Sequence, residues 1–168
     1  VQDPVSLSIH VQDINTQADI SGARVWVPIT EGGHGWPYQA SVTITSSGTT
    51  ATVAHTAHGL STNDYVHIAG ANESYYNGTF QITVTGVDAY TYTMASSTTS
   101  PATGSITATF VVIFGTTDVN GDISASYSYS SDQPVVGRVR TANYQTGPVT
   151  GSIDSAAGLS VTVNLVPD

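Results

Sequence analysis

HGLSTNDYVHIAGANESYYNGTFQITVTGVDAYTYTM, residues 58–94, is built from short runs of alternating apolar and polar side chains. Val66 and Ile68 form one run, Phe80, Ile82 and Val84 a second, and Tyr90, Tyr92 and Met94 a third. Side chains on a strand point to opposite faces with a period of two, so each run predicts a strand with one buried face. Asn77-Gly78 predicts a tight hairpin turn, because both residues tolerate positive φ. Nothing in the stretch has the period of an amphipathic helix.

The same period extends outward in both directions. Val5, Leu7, Ile9 and Val11 share a face, as do Ala23, Val25, Val27 and Ile29. Val42 with Ile44 and Ala51 with Val53 follow, then Ile106, Ala108, Phe110 and Val112. Ile123, Ala125, Tyr127 and Tyr129 come next, and Leu159, Val161, Val163 and Leu165 close the chain. Asn120-Gly121 predicts a second hairpin turn. Thr, Val, Ile and Tyr suit a pleated surface, and the only glutamates are Glu31 and Glu73. The fold class is all-β. Two stretches break the pattern: EGGHGWPYQ at 31–39 and ASSTTSPATGS at 95–105. Between them lies a strand-rich block long enough for a small barrel. The expected organisation is an inserted β domain at 41–108 within a discontinuous sandwich of residues 1–40 and 109–168, because loops with neighbouring ends tolerate insertions.

Composition excludes several functions. The 168 residues carry a formal charge of −9, with only 9% charged side chains and no lysine. Arg24, Arg138 and Arg140 are the only basic residues besides histidine. A nucleic-acid surface needs clustered cations to displace counterions, so nucleic acid is not an expected partner. Anionic membrane surfaces are disfavoured for the same reason, and no run is long enough for a membrane helix. Without cysteine no disulfide forms, and without lysine no Lys–Asn isopeptide bond forms. Stability is left to burial and strand pairing. The chain begins at Val1 with neither Met nor a charged leader, as expected after removal of a signal or trimming.

The block at 41–108 resembles a small β domain of tailed-bacteriophage structural proteins. The resemblance is carried by His58-Gly59-Leu60, Asp64, Val66, Ile68, Gly70, Ala71, Tyr76-Asn77-Gly78-Thr79-Phe80, Ile82 and Tyr90–Met94. Asn63 stands where that pattern has Gly, a change that preserves access to positive φ. The outer segments are similar to transthyretin-like, carboxypeptidase-regulatory-like sandwiches, through Asp13, Thr16, Ile20, Gly22-Ala23, Val25 and Val27, then Thr116-Thr117-Asp118 and Asn120-Gly121. The two resemblances imply an immunoglobulin/transthyretin-like sandwich with an inserted small barrel. They also imply a non-enzymatic role in a virion.

Each candidate site has a structural counterpart reading. His55 and His58 are spaced His-x-x-His, and His67 falls on a neighbouring run, but zinc or nickel needs three or four converging ligands and the set is incomplete. A side-chain hydrogen bond between His58 and backbone in the Gly-Leu turn would account for it without metal. The remaining histidines are His10 and His34. Asp118–Asp122 opens like a calcium loop, yet the bidentate Glu downstream is missing, so a turn is expected. Asn72-Glu-Ser74 and Asn77-Gly-Thr79 match the glycosylation acceptor pattern by chance. No Gly-x-Ser-x-Gly elbow and no paired acids are evident, so no catalytic residue, metal or cofactor is assigned. Trp36, Tyr38, Tyr75 and Tyr76 are candidate contact residues for a sugar or a neighbour, while Trp36 also suits a hinge between domains. Tyr127 and Tyr129 are expected in the core. Arg138 and Arg140 share a strand face, placed either to pair with carboxylates of a neighbouring subunit or to form a solvated face.

The leading expectation is a capsid-decoration, neck or tail-associated subunit of a tailed-phage virion. Its partners would be other virion proteins, further copies of itself around a symmetry axis, and a host-surface glycan. The alternatives are a carbohydrate-binding or adhesive module of a secreted or cell-surface bacterial protein, and a subunit of an extracellular filament. In the filament reading, residues 5–11 form an exposed edge strand that pairs between subunits.

Overall fold

The computed structural model describes residues 4–32, 39–128 and 130–168. The chain divides into two compact units, Val1–Thr30 with Val112–Asp168, and Glu31–Val111. The composition breaks had suggested boundaries at 40/41 and 108/109. The Ser/Thr/Pro stretch is not a linker: Ala102 donates its N–H to Ile44 O at 2.9 Å, and Asn72 donates to Thr103 O at 2.8 Å. Glu73 accepts from the Thr103 N–H at 2.8 Å and from its hydroxyl at 2.7 Å, and these bonds hold its carboxyl below the ordinary range. The stretch is thereby bonded into the second unit.

The first unit is a β sandwich. Its smaller sheet joins β1 (Val5–Asp13) to β11 (Asp122–Tyr127) antiparallel and to β14 (Leu159–Leu165) parallel. The other sheet runs β13 (Gly147–Ile153), β12 (Gln133–Arg140), β2 (Arg24–Pro28), then β10 (Gly104–Thr116), whose latter part belongs to this unit. Three strands over four is the layer count of an immunoglobulin-type sandwich. Leu7, Ile9 and Val11 are buried from one sheet, and Val25, Val27, Val135, Val139 and Val149 from the other, as alternation requires. Tyr127 is half-buried and donates its hydroxyl to Val112 O at 3.1 Å. Tyr129 lies outside the described residues.

β1 is the central strand of its sheet, paired along both sides. Residues 5–11 are therefore not an exposed edge, and the filament contact expected there is corrected. The alternation showed which face of β1 is buried but carries no information about its neighbours.

The second unit is a small closed barrel. β4 (Thr43–Ser47), β5 (Thr50–Ala54), β9 (Ala89–Thr93) and β8 (Thr83–Gly86) form one run of neighbours. The first part of β10, β6 (Tyr65–Ala71) and β7 (Gly78–Gln81) form another. Two switch points join them. β3 (Ala40–Ser41) pairs β10, and one residue later the chain continues as β4 against β5. β7 pairs β6, and one residue later the chain continues as β8 against β9. Val42 and Ile82, the residues at the switches, are 7% and 1% exposed, so each corner turns on a buried side chain. Phe80 stacks on Tyr92 at 4.1 Å inside the ring. No helix among the described residues is long and apolar enough to cross a membrane.

Candidate functional site

Four polar residues of the 58–94 motif, His58, Asp64, Tyr76 and Asn77, use their side chains to bond backbone in the connections of the barrel. Asn63 adopts φ +79°, the conformation that its replacement of Gly requires. It precedes Asp64, whose carboxylate accepts the Ser61 N–H at 2.8 Å and whose pKa is raised by burial. His58 is 2% exposed. Leu60 donates its N–H to His58 Nδ1 at 3.0 Å, so Nε2 carries the proton and donates to Gly86 O at 3.0 Å. One imidazole thus clamps two loops.

Asn77 does not sit at a hairpin tip. Its φ is −84°, and a single 3-10 turn, Ser74–Tyr76, precedes it. Its side-chain amide accepts the Ala71 N–H at 3.0 Å and donates to Ala71 O at 2.7 Å, closing the β6–β7 connection. Asn77→Ala removes both bonds and leaves a buried strand end unpaired, so it should cost about 2 kcal/mol in denaturant unfolding.

Tyr76, expected on an interaction surface, is fully buried. Its hydroxyl lies 2.7 Å from Ser46 Oγ and donates to Thr99 O at 2.9 Å, and Tyr92 donates to its carbonyl at 2.9 Å. Adjacent aromatics in a turn give no sign of which one points inward; here it is Tyr76, while Tyr75 is 47% exposed. Trp36, Tyr38 and His34 lie outside the described residues.

The His-x-x-His pair does converge. The His55 and His58 ring centroids are 5.8 Å apart, and Tyr90 packs edge-on against both. His55 Nδ1 lies 3.2 Å from Tyr90 Oη, and its Nε2 is buried without a partner. Burial, with the neighbouring His58 second, pushes the His55 pKa down to about 4. Burial likewise raises the Tyr90 hydroxyl well above its usual range. His67 is engaged elsewhere, with Nδ1 3.0 Å from Thr79 Oγ1. Among the described residues no three His, Asp or Glu side chains are grouped to hold a metal ion. A shallow depression of about 360 Å³ beside His55 is lined by Ser41, Val42, Thr43, Thr56 and Asp88.

In the sandwich unit the motif residues are also structural. Asp13 accepts the N–H groups of Asn15 and Thr16 at 2.8 Å each and the Tyr144 hydroxyl at 2.9 Å, and these bonds, that of Thr16 first, lower its pKa. Thr117 accepts the Ala23 N–H at 3.0 Å and donates to Ile20 O at 2.6 Å, tying Gly22-Ala23 to the Thr116–Asp118 segment. Thr117→Val should therefore cost about 1–2 kcal/mol of stability, measured by thermal unfolding. Asp118 accepts the N–H groups of Asn120 and Asp122 at 2.8 and 3.0 Å, so the calcium-like stretch is a turn that leads from β10 to a different sheet.

A cationic group faces outward. On β2 and β12, Arg24 stands opposite Arg140, and Trp26 opposite Arg138. All three arginines are exposed, and the Arg138 guanidinium lies 4.7 Å from the Trp26 ring centroid. Spacing along β12 gave Arg138 and Arg140 a common face. The strand register adds Arg24 and Trp26, more than a hundred residues distant in sequence, and no local signal could have placed them there.

No protein-family model and no curated protein matches the chain. Solved structures similar to it include a shaft pilin SpaA from Lactobacillus rhamnosus GG, at 10% identity and a TM-score of 0.45, with 99% of this chain covered. The chain spans 47% of the length of that pilin. The C-terminal domain of the same pilin is similar at 10% identity and a TM-score of 0.42, with 99% of both chains covered. The phage phi92 endosialidase is similar over 83% of this chain and 22% of its own, at 19% identity and a TM-score of 0.33.

Proposed function

We propose that the chain is a non-catalytic building block of an extracellular assembly, acting by docking and adhesion. The observation that carries this reading is the use of the motif side chains. His58, Asp64, Asn77 and Tyr76 bond backbone within the barrel, and Asp13, Thr117 and Asp118 do so in the sandwich. Polar side chains spent on corners give a rigid body with surface to present. The resemblance of residues 58–94 to the small domain of tailed-phage structural proteins favours a virion as the assembly, with a decoration, neck or tail-associated position. Host-surface adhesion would be a property of the exposed loops.

Immunogold electron microscopy with antibodies to the purified chain tests this in the source culture. Label on phage particles is expected. Label on a cell-surface filament would move the assembly from virion to appendage, and label confined to cell interiors would contradict the reading.

A further inference from the structure

The outer face of the β13–β12–β2 sheet carries every arginine in the chain. Arg24, Arg138 and Arg140 stand with Trp26, Val136 and Pro148 on adjacent strands. Like charges directly opposite across two strands, as Arg24 and Arg140 are, oppose folding. Among the described residues no carboxylate forms a salt bridge with any of the three. Val136 is 53% exposed, an uncommon cost for a branched aliphatic at the centre of a sheet face. Exposed Val136 next along the strand to the arginines, with a tryptophan holding one guanidinium in place, has the composition of a protein contact. A polysaccharide would use a free aromatic face, and Arg138 lies over that of Trp26.

The complementary surface is on the opposite side of the same sandwich. There the outer face of the β11–β1–β14 sheet is lined by Ser6, Ser8, Ser124 and Thr162, with Asp122 and Asp19 around His10. His10 Nδ1 lies 2.9 Å from Asp122 Oδ1, and Nε2 lies 3.4 Å from Asp19 Oδ1. The two carboxylate side chains remain about half exposed, 51% and 47%.

We infer that the Arg24–Trp26–Arg138–Arg140 face docks on the Asp19–Asp122 face of a second copy of this chain. Because the two patches lie on opposite outer faces, the contact is head-to-tail and repeats from copy to copy. The carboxylates receive the forked guanidinium N–H groups, and Val136 is covered. In a chain with a net charge of −9, concentrating all the arginines on one face lets copies attract in a single orientation while repelling in others. This inference rests on the assembly reading and names one of its partners.

Sedimentation velocity of the whole chain, from micromolar to millimolar, at low and high salt, tests it. The wild type should form species beyond the dimer at low salt and dissociate at high salt. Arg138→Glu and Asp122→Arg should each weaken association about tenfold or more. In a mixture the intact arginine face of Asp122→Arg meets the intact carboxylate face of Arg138→Glu, and the two reversed faces match as well, so the mixture should recover association that neither variant shows alone. Arg140→Glu with Asp19→Arg is the second pair, on other exposed side chains, should either first variant fold poorly. A wild type that stays monomeric at millimolar concentration overturns the inference, as do variants that associate like the wild type or a mixture that recovers nothing. Retention of a monomeric chain on an acidic polysaccharide, lost in Arg138→Glu, overturns it in favour of a glycan. A monomeric chain with gold label on particles rejects this contact alone; label confined to cell interiors rejects the assembly reading.

Discussion

Gly70→Val should unfold the barrel unit. Gly70 has φ +87°, which an L side chain adopts at a cost of about 1–3 kcal/mol. A Cβ built there meets the Ser105 carbonyl oxygen far inside van der Waals contact, and the obstacle is backbone on a paired strand. Gly104, with φ +110°, makes the reciprocal approach, since a Cβ on it meets Gly70 O. The two backbones approach each other closely here, where the register between β6 and β10 shifts. Strain and overpacking together should exceed about 4 kcal/mol, comparable with the whole stability of a unit this small. Loss of cooperative unfolding from the barrel, with the sandwich signals retained, is the expected result in a denaturant titration followed by NMR. Gly48→Ala is the control: its φ of +58° carries the conformational cost, but nothing lies within 4 Å of the added methyl, so the loss should stay near 1 kcal/mol.

Acid should destabilise the barrel unit through His55. In the folded chain its pKa lies near 4, against 6.5 for the unperturbed group. The unfolded chain therefore takes up a proton that the folded chain refuses. Stability is fully present above about pH 6.5, declines as pH falls, and levels off below about pH 4, with a loss of roughly 3 kcal/mol. Two groups act in the opposite sense. His10 has a raised pKa, first through its hydrogen bond to Asp122, so its contribution is present below pH 6.5 and is lost as pH rises through the folded value. Asp64, raised by burial, favours the folded state as it protonates. His55→Phe isolates the effect: the difference in stability between variant and wild type should change by that amount between pH 7 and pH 4. A difference independent of pH would show that His55 titrates normally.

Much of the barrel was legible because its motif is dense in residues with one physical use. Asn63 in the place of a glycine announced positive φ, and His58 in a Gly-Leu turn announced a backbone bond. Alternation identified the buried apolar members of β1 and β9 and Val25 and Val27 of β2, but only one face of β10, whose Thr109, Val111 and Ile113 are buried as well. What it did not carry was partnership between strands. That is why β1, read as an edge, is central, and why Asn77, read as a hairpin tip, closes a longer connection with its side chain. The same gap hid the outward face. Two arginines were visible as neighbours along β12, but Arg24 and Trp26 join them only through a register set by the folded sandwich. Tyr76 was misplaced because burial in a 3-10 turn follows from what packs above it, here Ser46 and Thr99 from distant segments.

The central claim is that the polar residues of the 58–94 motif serve the scaffold. Native-state hydrogen exchange at the amides of Leu60 and Ala71 tests it most directly, because their acceptors are the side chains of His58 and Asn77. Exchange of both only through global unfolding of the barrel is the predicted result. Fast exchange at these two amides, beside protected neighbours in β5 and β6, would mean that His58 and Asn77 are free for another task, and would contradict the account.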